Sequence, residues 1–156
     1  MRISLIEKAL QLAIYAHAGQ ADKVGKPYIL HPISVGMMGQ DEDEMIVGFL
    51  HDTVEDSPER VSFEDLEEEG FLPHQVEAVK AITKVGKEPY DDYLARVKAN
   101  DLATRVKFND IRHNTCPDRL DQLPQASQVY LKTKYAHAIS FLQEEGEQTL
   151  VDSGTA

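Results

Sequence analysis

The apolar segment Met45-Ile46-Val47-Gly48-Phe49-Leu50 runs directly into His51-Asp52-Thr53-Val54-Glu55-Asp56, and this junction constrains the chain more than any other stretch. The first half reads as the buried part of a helix. The second half crowds four potential metal ligands or proton carriers, His51, Asp52, Glu55 and Asp56, into the next turn and a half. A fold that buries Leu50 delivers this cluster to the edge of its core. There each charge must be paired, coordinated or solvated, because an isolated buried charge costs on the order of several kcal/mol.

The rest of the chain is built from helical periods. Leu5, Ala9, Leu12, Ala13 and Ala16 recur as one helix face between Ser4 and Ala18, and Gly19 is a natural stop. Two glycines and two prolines between Gly19 and Pro32 mark an irregular loop. Pro32 is expected to open a second, short helix, with His31 at or just before its N-terminus. Asp41 to Glu44 supply an acidic first turn to a third helix, expected to run through Leu50 into the cluster. Ser62-Phe63-Glu64-Asp65 has capping-box form and Gly70 ends what it begins. Further helices are expected from Pro73 toward Gly86, Tyr90 to Ala99, Leu102 to Asn114 and Gln128 to Glu145, the last burying Val129, Tyr130, Ala136, Ile139 and Leu142. No alternating pattern competes with these periods, so the expected fold class is all-α, a compact multi-helix domain. Residues 1–145 form one domain, and 146–156 a polar, flexible tail.

Composition limits the function. A formal net charge of −11 on 156 residues argues against general nucleic-acid or anionic-membrane binding, which needs a basic surface to replace counterions. It leaves room for a small anionic ligand held by local lysines and arginines. One cysteine, Cys116, permits no intrachain disulfide and suits a reducing, cytoplasmic setting. Nothing in the sequence specifies an oligomeric state.

His31, His51, Asp52 and Asp110 fall where an apolar residue would serve the fold equally well. Two imidazoles and two carboxylates from separate helices make a mixed nitrogen and oxygen site suited to Mn, Fe, Zn or Mg. If the third helix continues, Glu55 lies one turn beyond His51 and Asp56 one turn beyond Asp52, placed to orient a water and accept its proton. On spacing alone the same run also fits a hydrated acidic helix end.

Four segments together, Ala16-His17-Ala18-Gly19-Gln20, Gly25-Lys26-Pro27-Tyr28-Ile29-Leu30-His31-Pro32, His51 to Asp56, and Val106-Lys107-Phe108-Asn109-Asp110 with His113-Asn114 after it, resemble the HD-domain hydrolase half of the RelA/SpoT proteins and their stand-alone small alarmone hydrolases. The resemblance spans roughly residues 5 to 145, with the motifs in order. It implies an HD-domain phosphohydrolase fold binding one divalent ion, usually Mn²⁺, through His31, His51, Asp52 and Asp110. Glu55 and Asp56 would be the water-activating pair. The implied reaction removes the 3′-pyrophosphate of ppGpp or pppGpp, a small-molecule nucleotide substrate. Alternatives are another nucleotide at the same site, NADPH losing its 2′-phosphate or an adenine alarmone, and a non-catalytic nucleotide sensor.

By the same resemblance Lys23, Lys107, Asn114 and Tyr135 would contact substrate, with Lys132 or Lys134 able to stand for a basic residue on the last helix. His17 would support the loop from behind. The departures are Asp22 where the family commonly has an arginine, a natural partner for a purine base, and Asn109, Ile111 and Arg112 around the fourth ligand.

Overall fold

Ser4 caps the first helix reciprocally with Glu7, Asp41 caps the third through the Glu44 backbone, and Ser62 and Asp65 form a second capping box. These caps satisfy N–H groups that a helix start leaves without partners. The computed structural model describes residues 2–144 and contains ten helices in that span. They are α1 (Leu5–His17), α2 (Leu30–Met37), α3 (Glu42–Leu50), α4 (Thr53–Asp56), α5 (Phe63–Glu68), α6 (Pro73–Ile82), α7 (Tyr90–Lys98), α8 (Asp101–Asn114), α9 (Pro117–Leu120) and α10 (Gln125–Gln143). Among the described residues there is no β-strand, only an isolated bridge between Ala21 and Pro27 that pins the loop after α1. No described helix is long and apolar enough to cross a membrane. The expected tail at 146–156 lies outside the described residues.

Helix α3 is the centre of the domain. Ile46, Val47, Phe49 and Leu50 are buried, and the helix packs against α1, α2, α6 and α8. Each such side chain contributes roughly 1.5–3 kcal/mol relative to exposure. Its contact with α2 is made backbone to backbone. A Cβ at Gly48 would stand 2.7 Å from the Gly36 Cα, and one at Gly36 would run into the Phe49 ring. Two small residues facing each other let α2 and α3 approach closely, which brings His31 near the first end of α2 against His51 at the last turn of α3.

Several boundaries differ from the sequence reading. Helix α2 opens at Leu30, two residues before Pro32, because the Ile29 backbone is already helical; His31 is therefore inside the helix. Helix α3 stops at Leu50 rather than running through the cluster. The Thr53 hydroxyl donates to the Leu50 carbonyl (2.8 Å), and Asp52 adopts φ −105°, ψ 0° before α4 begins. That conformation lies in the sparsely populated bridge region, where active-site residues often sit. Helix α9 is an addition, a single turn opened by Pro117. Helix α10 starts at Gln125 and buries Leu131, Tyr135, Ala138 and Leu142, whereas Val129, Tyr130 and Ala136 face outward and Ile139 is half-buried. The apolar residues around this helix offer two competing stripes, and packing against α7 and α8 selects the one with period 4-3-4.

The Gly36–Gly48 crossing is testable. Gly48→Ala should destabilise the protein by the upper end of about 1–3 kcal/mol, the range for forcing a methyl into a packed site. Thermal denaturation followed by circular dichroism should show Tm falling about 2–4 °C per kcal/mol. An unchanged Tm would mean that the close approach of the two helices is dispensable.

Candidate metal centre

His51 is 2 % exposed, and its Nδ1 lies 2.6 Å from the Gly48 carbonyl, an acceptor only, so Nδ1 carries the hydrogen. Its Nε2 is buried without a hydrogen-bond partner. The ring is fixed with that atom facing two carboxylates, Asp52 Oδ2 at 3.1 Å and Asp110 Oδ1 at 3.3 Å, both off the hydrogen-bond direction. His31 Nε2 lies 2.8 Å from the same Asp110 oxygen and 3.7 Å from Asp52 Oδ2. One ligand atom from each of His31, His51, Asp52 and Asp110 falls within a mutual distance of 4.8 Å. The structure thus gathers the four expected ligands from α2, α8 and the turn between α3 and α4.

A second layer orients this group. His31 Nδ1 and His113 Nδ1 are 2.7 Å apart. Arg119 Nη1, always a donor, also approaches His113 Nδ1 (3.4 Å). That nitrogen is therefore the acceptor and His31 Nδ1 the donor. Burial, with His31 and Arg119 adding to it, pushes His113 down to about 4, so it stays neutral in this role. Tyr28 donates its hydroxyl to Asp52 Oδ2 (2.6 Å), and Asn114 Nδ2 donates to Asp110 Oδ1 (3.1 Å) and to the Tyr135 hydroxyl (3.1 Å). Lys107 is buried one turn before Asp110 and pairs with its Oδ2 at 2.9 Å. A buried donor shell of this kind, with one imidazole hydrogen held by a carbonyl, is characteristic of metal-ligating histidines.

The electrostatics follow from the packing. Burial opposes ionisation of Asp110, but Lys107, His31 and His51 outweigh it and hold the carboxyl well below its ordinary range. Burial likewise opposes charge on His51, and Asp52 and Asp110 overcome it, raising its affinity for a proton. Close imidazole and carboxylate groups attract through a shared cation, either a proton or a metal ion. The orphaned His51 Nε2 and the two-nitrogen, two-oxygen donor set fit a divalent ion.

Glu55 and Asp56 sit on α4, past the turn, so His51 and Glu55 belong to different helices. Asp56 keeps its place one turn beyond Asp52, its N–H donating to the Asp52 carbonyl at 3.0 Å. Burial and then the Asp52 charge raise Glu55, whose Oε1 accepts the Lys84 N–H at 2.6 Å. Burial, Asp52 and Glu55 together push Asp56 up to about 7. His17 also reaches this corner: its Nδ1 bonds Gln20 (2.8 Å), and Gln20 reaches the Ser57 hydroxyl (2.8 Å) just after α4.

Beside the centre lies a cavity of about 300 Å³ with Lys23, Tyr28, Asn114 and Tyr135 in its wall. Lys107 is not among the wall residues. Asp22 is, and its Oδ1 accepts the backbone N–H groups of Val24 and Lys26 (3.0 and 2.9 Å), so it also builds the loop. Asn109 and Ile111 serve the fold: Asn109 bonds the buried Glu44 carboxylate at 3.0 Å, and Ile111 is core. Arg112 is exposed. The sequence reading missed Arg119, which stands in the cavity wall on α9. Its only local signal was Pro117, a helix-opening proline two residues upstream.

Competition between protons and metal is the measurable consequence. Because His51 holds a proton more tightly than usual, a divalent ion must displace it, and affinity falls as pH falls. The rise in Tm on adding Mn²⁺ should be larger near pH 8 than near pH 5, and His51→Ala should remove it. A rise that is equal at both pH values, or that survives His51→Ala, would place the ion elsewhere.

No family model matches the chain. A protein named putative GTP diphosphokinase RSH1, chloroplastic, from Arabidopsis thaliana is 37% identical over 109 residues, 64% of this chain and 12% of that protein. A guanosine-3′,5′-bis(diphosphate) 3′-pyrophosphohydrolase from Aquifex aeolicus is 35% identical over 89 residues, 54% of this chain and 12% of that protein. The chain thus spans about an eighth of the length of these curated relatives. A solved structure described as a metazoan SpoT ortholog that hydrolyses ppGpp superposes with a TM-score of 0.74 at 22% identity, covering 92% of this chain and 88% of that one.

Proposed function

From a chain that belongs to the RelA/SpoT-type family of HD-domain hydrolases, we propose a metal-dependent phosphohydrolase that removes the 3′-pyrophosphate of ppGpp or pppGpp, yielding GDP or GTP and pyrophosphate. The observation that carries this reading is the convergence of His31, His51, Asp52 and Asp110 on one point beside an open cavity. Those four residues would hold the ion, with Mn²⁺ the proposed metal. When bound, it supplies Lewis acidity to a phosphoryl oxygen and to water. A cytoplasmic setting goes with this reading.

The chain's own residues divide the remaining work. Asp56, held near neutrality by burial and two neighbouring carboxylates, is suited to take a proton from the attacking water and pass it on. Glu55 is fixed by the Lys84 N–H and orients the same water. Lys107 neutralises Asp110, so that the ligand carboxylates do not repel an incoming phosphate. In the cavity Lys23 offsets phosphate charge, while Asn114 and Tyr135, already bonded to each other, form its polar wall.

Asp22 in the cavity wall favours a second reading of substrate, in which the same site acts on NADPH or an adenine nucleotide. Turnover of a nucleotide panel by Mn²⁺-loaded protein separates the two: pyrophosphate release from ppGpp is expected, and phosphate release from NADPH alone would move the assignment. Tight binding of ppGpp without product would instead indicate a sensor.

The rate should depend on pH through Asp56. A base works when deprotonated, so activity should rise with pH to an inflection at or below about 7. Asp56→Asn should lower kcat by about 10²–10⁴-fold, the usual worth of a positioned base, and abolish that inflection. An Asp56→Asn enzyme with near-normal kcat would assign the proton transfer to another group.

A further inference from the structure

Lys84, in the loop after α6, and Lys134 on α10 place their ammonium groups over one ring, that of Tyr90, at 6.0 and 5.1 Å from its centroid. Lys134 also stands 5.7 Å from the Tyr135 ring. Neither lysine makes an ion pair among the described residues, on a chain with 27 acidic side chains. The Tyr90 hydroxyl is buried and has no hydrogen-bond partner among the described residues. A buried hydroxyl left unpaired costs on the order of 1–3 kcal/mol, so this one has a bond to offer a ligand or a water.

This group adjoins the reaction centre. Tyr90 lies 5.9 Å from Tyr93, ring to ring, and Lys107 sits over Tyr93 at 5.3 Å while pairing with Asp110. The backbone N–H of Lys84 holds Glu55. Lys84, Tyr90 and Lys134 stand outside the wall of the 300 Å³ cavity. Burial, with repulsion from Lys107 and Lys84, loosens the proton on Lys134, the behaviour of a cation held among cations. An anion relieves that repulsion, and one with several oxygens can accept from more than one donor.

We propose that Lys84, Tyr90 and Lys134 form a phosphate subsite that receives the distal phosphate of the scissile diphosphate. This rests on the hydrolase reading for its place in the reaction, since a 3′-diphosphate with its inner phosphate at the ion must extend its outer one beyond. The subsite selects a diphosphate over a monophosphate at that carbon and steadies pyrophosphate as it leaves. Lys84 couples the two events, because the loop that bears it also fixes Glu55.

Inorganic pyrophosphate is the probe. Titration calorimetry on metal-free protein should show binding that the Lys84→Ala/Lys134→Ala double variant weakens by about tenfold or more, and Tyr90→Phe by a few-fold, as expected for lost charged and neutral hydrogen bonds. Lys8→Ala, a lysine on α1 that pairs with Glu69, should leave it unchanged. With Mn²⁺ bound, the double variant should raise KM about tenfold for ppGpp but not for guanosine 5′-diphosphate 3′-monophosphate. Equal pyrophosphate binding by wild type and double variant, or an equal rise in KM on both nucleotides, would overturn the subsite. Wild-type protein that turns over no 3′-pyrophosphate nucleotide, yet binds pyrophosphate through these two lysines, would overturn the hydrolase reading and leave the phosphate subsite standing.

Discussion

Two carboxylates, the half-buried Asp52 and the buried Asp110, lie within a few ångströms of each other, and the rest of the site exists to make that tolerable. Like charges at such separations in a low-dielectric surrounding repel by several kcal/mol even with strong effective screening. Each has been given compensation from several directions. Asp110 has Lys107 on one oxygen and Asn114 with two imidazoles on the other. Asp52 has the Tyr28 hydroxyl and both imidazoles. The sum is an acidic centre that attracts a cation without expelling its own ligands.

The fold supplies the positions through ordinary helix geometry. On α8, residues 107, 110 and 114 follow at spacings of three and four, so the lysine, the carboxylate and the amide share one face. On α2 and α3, the facing glycines allow an approach that larger residues would prevent, and that approach joins His31 to His51. The break at Asp52 turns α4 so that Glu55 and Asp56 stand beside the cluster rather than along the axis of α3. Burial first, and then the Asp52 charge, holds their protons more tightly than usual. A straight helix through Asp56 would have carried these groups onto a different line.

Most of this was legible in the sequence where the signal was local. Ser4, Asp41 and Ser62 announce helix starts because capping depends on three or four adjacent residues. The cluster of His31, His51, Asp52 and Asp110 was legible because imidazoles and carboxylates at core positions do no packing that an apolar side chain would not do at lower desolvation cost. The break at Asp52 was not, since the Thr53 hydroxyl competing for the Leu50 carbonyl is decided by tertiary packing as much as by residue type. The face of α10 was misread because Val129 and Tyr130 are apolar but outward, and only the neighbours α7 and α8 choose between stripes. Arg119 and Tyr90 escaped for the same reason. Their importance comes from what lies across the chain from them, in elements distant in sequence, and no period or spacing reports that.

A polyanionic substrate, as proposed for this acidic protein, poses an electrostatic problem that the chain's charges meet by segregation. With a net charge of −11, its average field repels phosphate. Several of its acidic groups are occupied elsewhere: Glu7, Asp41 and Asp65 on helix N-termini, Glu88 in a two-pronged pair with Arg96, Asp43 with His74 and Gln75. Lysines and arginines accumulate instead around the centre, with Lys23, Lys26 and Arg119 in the cavity wall and Lys84 and Lys134 over Tyr90. Within a Debye length of roughly 8 Å at physiological salt, these near cations govern what a phosphate experiences, and the distant acidic surface is screened. Local charge and not net charge therefore decides the ligand, and the acidic exterior discourages longer polyanions that would have to lie across it.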